Sequence, residues 1–198
     1  MNTRHSRALN LTFALLASLL AVTFLVRLGL RLDAANAALP RVADVTWNDP
    51  LPSVRLTRVS LDAGTSSESE PSFADLFPTG CGAVFFYFST CGACKYYAPE
   101  WTGRSFVEFG ELTLPLAWIS VRQDTGRLAF VERYDLRGPV YDTESIADFA
   151  ALGVAGTPTI YIIRRGILKG QLPATPTQIA EFANTAPADS MRQRCLVP

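Results

Sequence analysis

Apolar and polar positions along this chain fall into blocks that predict an α/β domain. Val54, Leu56, Val59 and Leu61 lie in an extended stretch that ends at the turn signal Asp62-Ala63-Gly64. Thr65 to Pro71 reads as a Ser/Glu-rich loop, and Ser72 to Phe77 as a short amphipathic turn. Ala83 to Phe88 is an unbroken apolar and aromatic run, as expected of a strand buried on both faces. Helical composition follows from Cys91 to about Phe109, bent at Pro99, whose ring removes one backbone hydrogen bond. Leu114 to Val121 predicts a second buried strand, and Asp124–Tyr134 and Glu144–Leu152 predict helices. Thr159–Arg164 and Ile167–Gly170 form a hairpin about Arg165-Gly166, and Pro176–Thr185 is a closing helix with Thr175 as its N-cap. The order β, β-α-β-α, an insertion, then β-β-α predicts a mixed sheet with helices on both faces.

The pattern changes upstream. Leu9 to Val26 runs 18 residues without a charge, between Arg4 and Arg7 on one side and Arg27 and Arg31 on the other. A helix needs ~20 residues to cross a bilayer core, so this predicts a short membrane anchor. Ala35-Asn36-Ala37 resembles a signal-peptidase site, which makes a cleaved signal peptide the alternative. The length of the apolar run, and the distance of that site beyond Arg27, favour the anchor, with the N-terminus inside. Either outcome places the domain in an oxidising, extracytoplasmic space, a periplasm or its Gram-positive equivalent. Three parts are expected: an anchor at 1–33, a linker at 34–52 holding the domain off the membrane, and a domain with its tail at 53–198. Acidic and basic residues balance at 18 each among 198, so nothing points to a nucleic-acid partner.

The chemistry lies in the cysteines, at positions 81, 91, 94 and 195. Cys91-Gly92-Ala93-Cys94 sits at the junction of the buried strand and the helix. There the first sulfur meets unpaired backbone N–H groups that favour a thiolate, and a second cysteine three residues on is placed to resolve a mixed disulfide. A zinc site would need two further ligands, and the only histidine is His5. No metal or cofactor is expected. An inert bridge is the other reading, but a three-residue offset at a helix start makes a reducible link rather than a staple.

Cys91-Gly-Ala-Cys94-Lys95-x-x-Ala98-Pro99 resembles the thioredoxin active-site signature. Gly153 to Ile163, with Thr157-Pro158 opening a strand, resembles the second thioredoxin signature, in which a cis proline packs beside the sulfurs. Proline lacks a ladder donor and therefore suits a strand's first position. The segment Gly138 to Thr157, a strand and helix ahead of Pro158, is similar to the insertion of the TlpA/ResA-like thioredoxins. The likeness covers about residues 54 to 185. It implies a thioredoxin-like fold, Cys91 and Cys94 as catalytic residues, and Thr90, Gly156, Thr157 and Pro158 as the surface binding a substrate segment. It also implies protein disulfides as substrates, a membrane thiol donor as reductant, and service to a process such as cytochrome c maturation. In such a sheet Cys81 and Cys195 would both lie at the end away from the dithiol, which makes a structural disulfide between them reasonable.

Three departures bear on chemistry. Thr90 stands where the family usually has tryptophan, Ala93 replaces the common proline, and Phe85 occupies the place of a buried acid that assists the second cysteine. Lys95 and Glu100 are weaker candidates beside the dithiol, while Phe86, Tyr87 and Trp118 read as core. Peroxidase chemistry lacks its motif, a threonine three residues before the attacking cysteine. The expected function is a membrane-tethered reductase of protein disulfides. The alternatives are an oxidase of the same fold, or a non-catalytic assembly module.

Overall fold

β2 (Cys81–Phe86) is the strand around which the domain is arranged. The computed structural model describes residues 23–24, 43–59 and 71–196, and the domain falls within one unit, Arg41–Pro198. The apolar run Leu9–Val26, apart from Thr23 and Phe24, lies outside the described residues, as do Asp62-Ala63-Gly64 and residues 65–70. Among the described residues, no helix is long and apolar enough to cross a membrane.

β1 (Thr57–Val59) follows Leu56, which is fully buried, and α1 (Phe73–Leu76) is one turn opened by a reciprocal cap between Ser72 and Asp75. After β2 comes α2 (Gly92–Tyr97), a 3₁₀ turn over Ala98–Trp101, and then a hairpin of β3 (Phe106–Phe109) and β4 (Leu112–Val121). α3 (Arg127–Arg133), β5 (Val140–Thr143) and α4 (Ile146–Ala151) lead to β6 (Thr159–Arg164) and β7 (Ile167–Leu172). α5 (Pro176–Phe182) and α6 (Ala186–Leu196) close the chain. The sheet order is β1-β5-β4-β2-β6-β7, with β3 paired to the first half of β4. β2, β4 and β5 are parallel, and β1, β3, β6 and β7 each run antiparallel to their neighbours. The expected mixed sheet is present, with the β5–α4 insertion ahead of residues 157–158.

Alternation along β2 sends successive side chains to opposite layers. Ala83 and Phe85 face a core closed by α2, α3, α5 and α6, with Trp101, Trp118, Phe130, Ile179 and Met191. Val84 and Phe86 face a second core closed by α1 and α4, with Phe73, Phe149 and Leu152. This is why the run 83–88 is apolar throughout. Phe86, Tyr87 and Trp118 are core residues, as expected.

Three expectations are corrected. The helix from Cys91 does not reach Phe109. Pro99 has no N–H to continue the ladder, the chain tightens into the 3₁₀ turn, and Gly103 leaves the helical region at φ +72°. Phe106–Phe109 then alternates exposed and buried, a period of two that made it a strand. The closing helix stops at Phe182, and the tail is itself helical. Ala188, Met191 and Cys195, spaced by three and four, turn inward on α6. Finally, the described part of the expected linker is bonded to the domain. The Asn48 N–H donates to Leu168 O and the Leu51 N–H to Gly166 O, both at 2.8 Å, and Leu51 is buried. These contacts cover the outer edge of β7, whose backbone groups would otherwise be open to another chain.

Cys81 and Cys195 form a disulfide, with Cα atoms 5.6 Å apart across 114 positions. It fastens α6 to the start of β2. Gly170 lets α6 approach β7, since a Cβ there would meet Met191 Sδ at 2.4 Å. By the chain-entropy model a loop of this size is worth about 5 kcal/mol, and measured losses on removing such a bridge run ~2–5 kcal/mol. Replacing Cys81 and Cys195 together by serine is expected to lower unfolding stability by ~2–5 kcal/mol. Urea denaturation of the two forms measures this, and dithiothreitol should produce the same loss in the parent.

Candidate active site

The dithiol is built by the end of β2 and the first turn of α2. Beyond Phe86 the chain leaves the sheet, and the Cys91 N–H closes a tight turn on Phe88 O at 3.1 Å. Cys91 is the N-cap of α2, in extended conformation (φ −67°, ψ 121°). Its sulfur accepts the Cys94 N–H at 3.2 Å, as a capping oxygen would. In the thiol state the same sulfur donates to Thr157 O at 3.1 Å. Cys91 is partly exposed, whereas Cys94 is buried, and both are free thiols.

The two sulfurs are therefore inequivalent. Burial acts to raise the Cys91 thiol pKa. It is outweighed by hydrogen bonds from the Cys94 and Thr157 side chains and from the Cys94 and Ala93 N–H groups, so Cys91 titrates below an ordinary cysteine. Burial pushes the Cys94 thiol up to about 12, and its hydrogen bond to Cys91 adds to the rise. The outer sulfur is disposed to be a nucleophile, and the inner one keeps its proton until that proton has somewhere to go.

Thr157 and Pro158 join this site from the far side. Their peptide bond is cis, and Thr157 reaches Cys91 across a separation of 66 residues. The route is the antiparallel pairing of β2 with β6, which sets Phe86 opposite Thr159. Gly156 and Thr90 are exposed at the rim, and Gly156 O accepts the Thr159 hydroxyl at 2.6 Å. Cys81 and Cys195 lie at the other end of β2, as expected. The Glu100 carboxylate takes the Thr177 hydroxyl at 3.2 Å. Phe85, in place of an acid, packs against Trp118 at 4.7 Å and Trp101 at 5.4 Å between ring centroids. The layer beneath the dithiol is aromatic there.

Sequence reasoning missed a polar cluster beside this site. Asp124 accepts from the Ser89 N–H at 2.6 Å, from the Ser89 hydroxyl, from the Ser120 hydroxyl at 3.2 Å and from the Gly126 N–H at 3.2 Å. Arg127 pairs with Asp142 of β5 at 2.6 Å. Burial raises the Asp142 pKa, and Arg127 opposes that rise. Tyr87 lies among these groups, its phenol raised by burial and by the charges of Asp142 and Asp124. Ser120, near the end of β4, and Asp124, just beyond it, were visible in the sequence. Their link to Ser89, 35 positions away, was not.

Solved structures share this architecture. A thiol:disulfide interchange protein from Bacteroides sp. superposes with a TM-score of 0.50 at 18% identity, covering 73% of this chain and 94% of that one. A putative protein disulfide isomerase from Bacteroides thetaiotaomicron superposes with a TM-score of 0.51 at 17% identity, over 73% and 90% of the two chains. This is a thioredoxin-like fold. The same thioredoxin-like frame appears in a peroxidoxin from Mycobacterium tuberculosis, with a TM-score of 0.51 at 16% identity over 75% and 97% of the chains. At these identities the likeness concerns architecture and leaves chemistry to the residues present. No protein-family model and no curated protein sequence matches the chain.

The inequivalence of the sulfurs has a direct readout. Alkylation of Cys91 by iodoacetamide is expected to rise with pH through a midpoint below the ~8.5 of a free cysteine. Cys94 is expected to stay unmodified at neutral pH in the native protein, and peptide mass spectrometry resolves the two sites.

Proposed function

We propose that this chain is a thiol:disulfide oxidoreductase that reduces disulfides of partner proteins through Cys91 and Cys94. The observation that carries the reading is the asymmetric dithiol: a partly exposed sulfur capping a helix, and a buried sulfur of high pKa one turn inside it. The Cys91 thiolate attacks one sulfur of the substrate disulfide, forming a mixed disulfide and expelling the other substrate sulfur as a thiolate. Cys94 then gives up its proton, which the expelled thiolate takes, and attacks Cys91. The Cys91–Cys94 disulfide forms and the second substrate sulfur leaves, protonated from water. Substrate gains two electrons from the enzyme and two protons, one from Cys94 and one from water that balances the proton Cys91 released on ionising. A thiol donor restores the dithiol by the reverse exchange. The rim at Thr90, Gly156, Thr157 and Pro158 receives the extended substrate segment, through backbone hydrogen bonds to the loop preceding Pro158.

Export to an oxidising compartment, tethered by Leu9–Val26, belongs to the same proposal. It is supported by that apolar run with its basic flanks and, independently, by the Cys81–Cys195 disulfide, a bond kept reduced in most cytosols. One observation favours the reverse direction as a second reading. Hydrogen bonds on the Cys91 sulfur stabilise the reduced form and so make the disulfide a stronger oxidant. Equilibration with glutathione separates the two, because a reductase must equilibrate well below the potential of the oxidising foldases.

The reading is tested by Cys94→Ala, which removes the resolving sulfur. This variant should accumulate a covalent, dithiothreitol-sensitive adduct between Cys91 and a protein partner in cells, and Cys91→Ala should accumulate none. Equal absence of adduct from both variants, together with no insulin reduction by the parent, would sink the assignment and leave a binding module.

A further inference from the structure

We propose that Asp124 is a positioning residue for the Cys91 nucleophile, its carboxylate clamping the turn that delivers Cys91 to the start of α2. This rests on the oxidoreductase reading above and adds to it a group distant in sequence.

Asp124 lies in the loop after β4 and is 8% exposed, yet the donors on its carboxylate are neutral. The nearby guanidinium of Arg127 goes instead to the Asp142 carboxylate and to the Asp124 backbone carbonyl. The two carboxylate oxygens divide Ser89 between them, one taking its N–H and the other its hydroxyl. The Ser120 hydroxyl stands within reach of both Tyr87 O, at 3.0 Å, and Asp124, at 3.2 Å, sharing one proton between them. A single carboxylate thus ties the end of β2, the end of β4 and the entry to α3. Gly126 shows how tightly they meet, because a Cβ there would come within 2.5 Å of Ser89 Oγ.

Ser89 stands two residues before Cys91, inside the turn that the Cys91 N–H closes on Phe88 O. The Cys91 sulfur faces the Cys94 N–H only while the Cys91 backbone holds its extended capping conformation. Releasing Ser89 loosens that conformation and weakens the bonds that hold the thiolate. The groups facing the Cys91 sulfur are the Cys94 thiol and first-turn N–H groups of α2, with Thr157 from the loop before β6. Lys95 follows on α2, and Tyr87, Arg127 and Asp142 flank Asp124.

Charge and clamping predict opposite signs, which makes the proposal decidable. If Asp124 acted on Cys91 only as a nearby negative charge, neutralising it would ease thiolate formation and lower the alkylation midpoint. As a clamp, its loss raises the midpoint. The experiment measures iodoacetamide alkylation of Cys91 against pH in the full chain for the parent, Asp124→Asn, Ser89→Ala and the double variant, with melting temperatures in parallel. The expected result is a rise in midpoint for each single variant. Below the midpoint this appears as about threefold slower alkylation, the loss of thiolate that half a pKa unit produces. The double variant should shift no further than the larger single, since both break one clamp. A midpoint that falls or stays fixed in Asp124→Asn, whatever happens to the melting temperature, overturns the proposal. Should Asp124→Asn not fold, an unmoved midpoint in Ser89→Ala, which keeps the charge, overturns it equally. A parent midpoint at the free-thiol value would instead reject the oxidoreductase reading itself, and this proposal with it.

Discussion

The pairing of β2 with β6 is the constraint on which the site depends. Phe86, the last residue of β2, lies opposite Thr159, the first of β6. From that register the chain needs only five residues to reach Cys91 on one side and two to reach Thr157 on the other. Neither approach alone makes a site. A slip of one residue in β6 would turn Ile160 and Ile162 out of one core and Tyr161 and Ile163 out of the other, so burial on both faces fixes the register. The contact between Cys91 and Thr157 is thus held by the packing of the whole sheet.

Within that frame the two sulfurs divide the work by depth. Cys91 caps a helix start with a face open to solvent, where first-turn N–H groups support its anion. Cys94, one turn on, points into the core with Ala98, Trp101 and Phe85, where an anion lacks such support. The layer beneath it is aromatic and apolar, with Phe85 placed edge-on to Trp101. The order of steps follows from this asymmetry. In the proposed exchange the outer sulfur reacts first, and the inner one waits until the attack has produced a sulfur anion able to take its proton.

The opposite end of β2 carries a different sulfur chemistry. Cys81 and Cys195 are joined where α6 crosses the start of the strand, backed by Met191 against Gly170 and by the Arg194 guanidinium on Lys169 O at 3.1 Å. One strand therefore begins at a bond that holds the fold and leads to a pair of thiols free to exchange. Sequence separation protects this arrangement less than geometry does. The full length of β2 and the turn after it stand between the two pairs.

The sequence by itself determined what depends on near neighbours. The unbroken run Ala83–Phe88 announced a central strand, Arg165-Gly166 a hairpin, Thr175 a cap, and Cys91-x-x-Cys94 after a strand a reactive pair, since each rests on spacing within a few residues. Thr157-Pro158 was legible as a partner to the dithiol only through resemblance. Local pattern misled at Phe106–Phe109, where a helix looked continuous, because period two over four residues is too short to outweigh the composition around it. It was silent at Ala186–Leu196, whose inward face is alanine, methionine and cysteine rather than a strong apolar stripe. The Cys81–Cys195 bridge was legible only through the resemblance that set both cysteines away from the dithiol, and only the tertiary structure decided that Asp124 holds Ser89 and that residues 48–51 cover β7. These contacts join positions far apart in the chain, and polar side chains carry no periodic signal naming their partners. Their selection comes from which strand ends the sheet brings together.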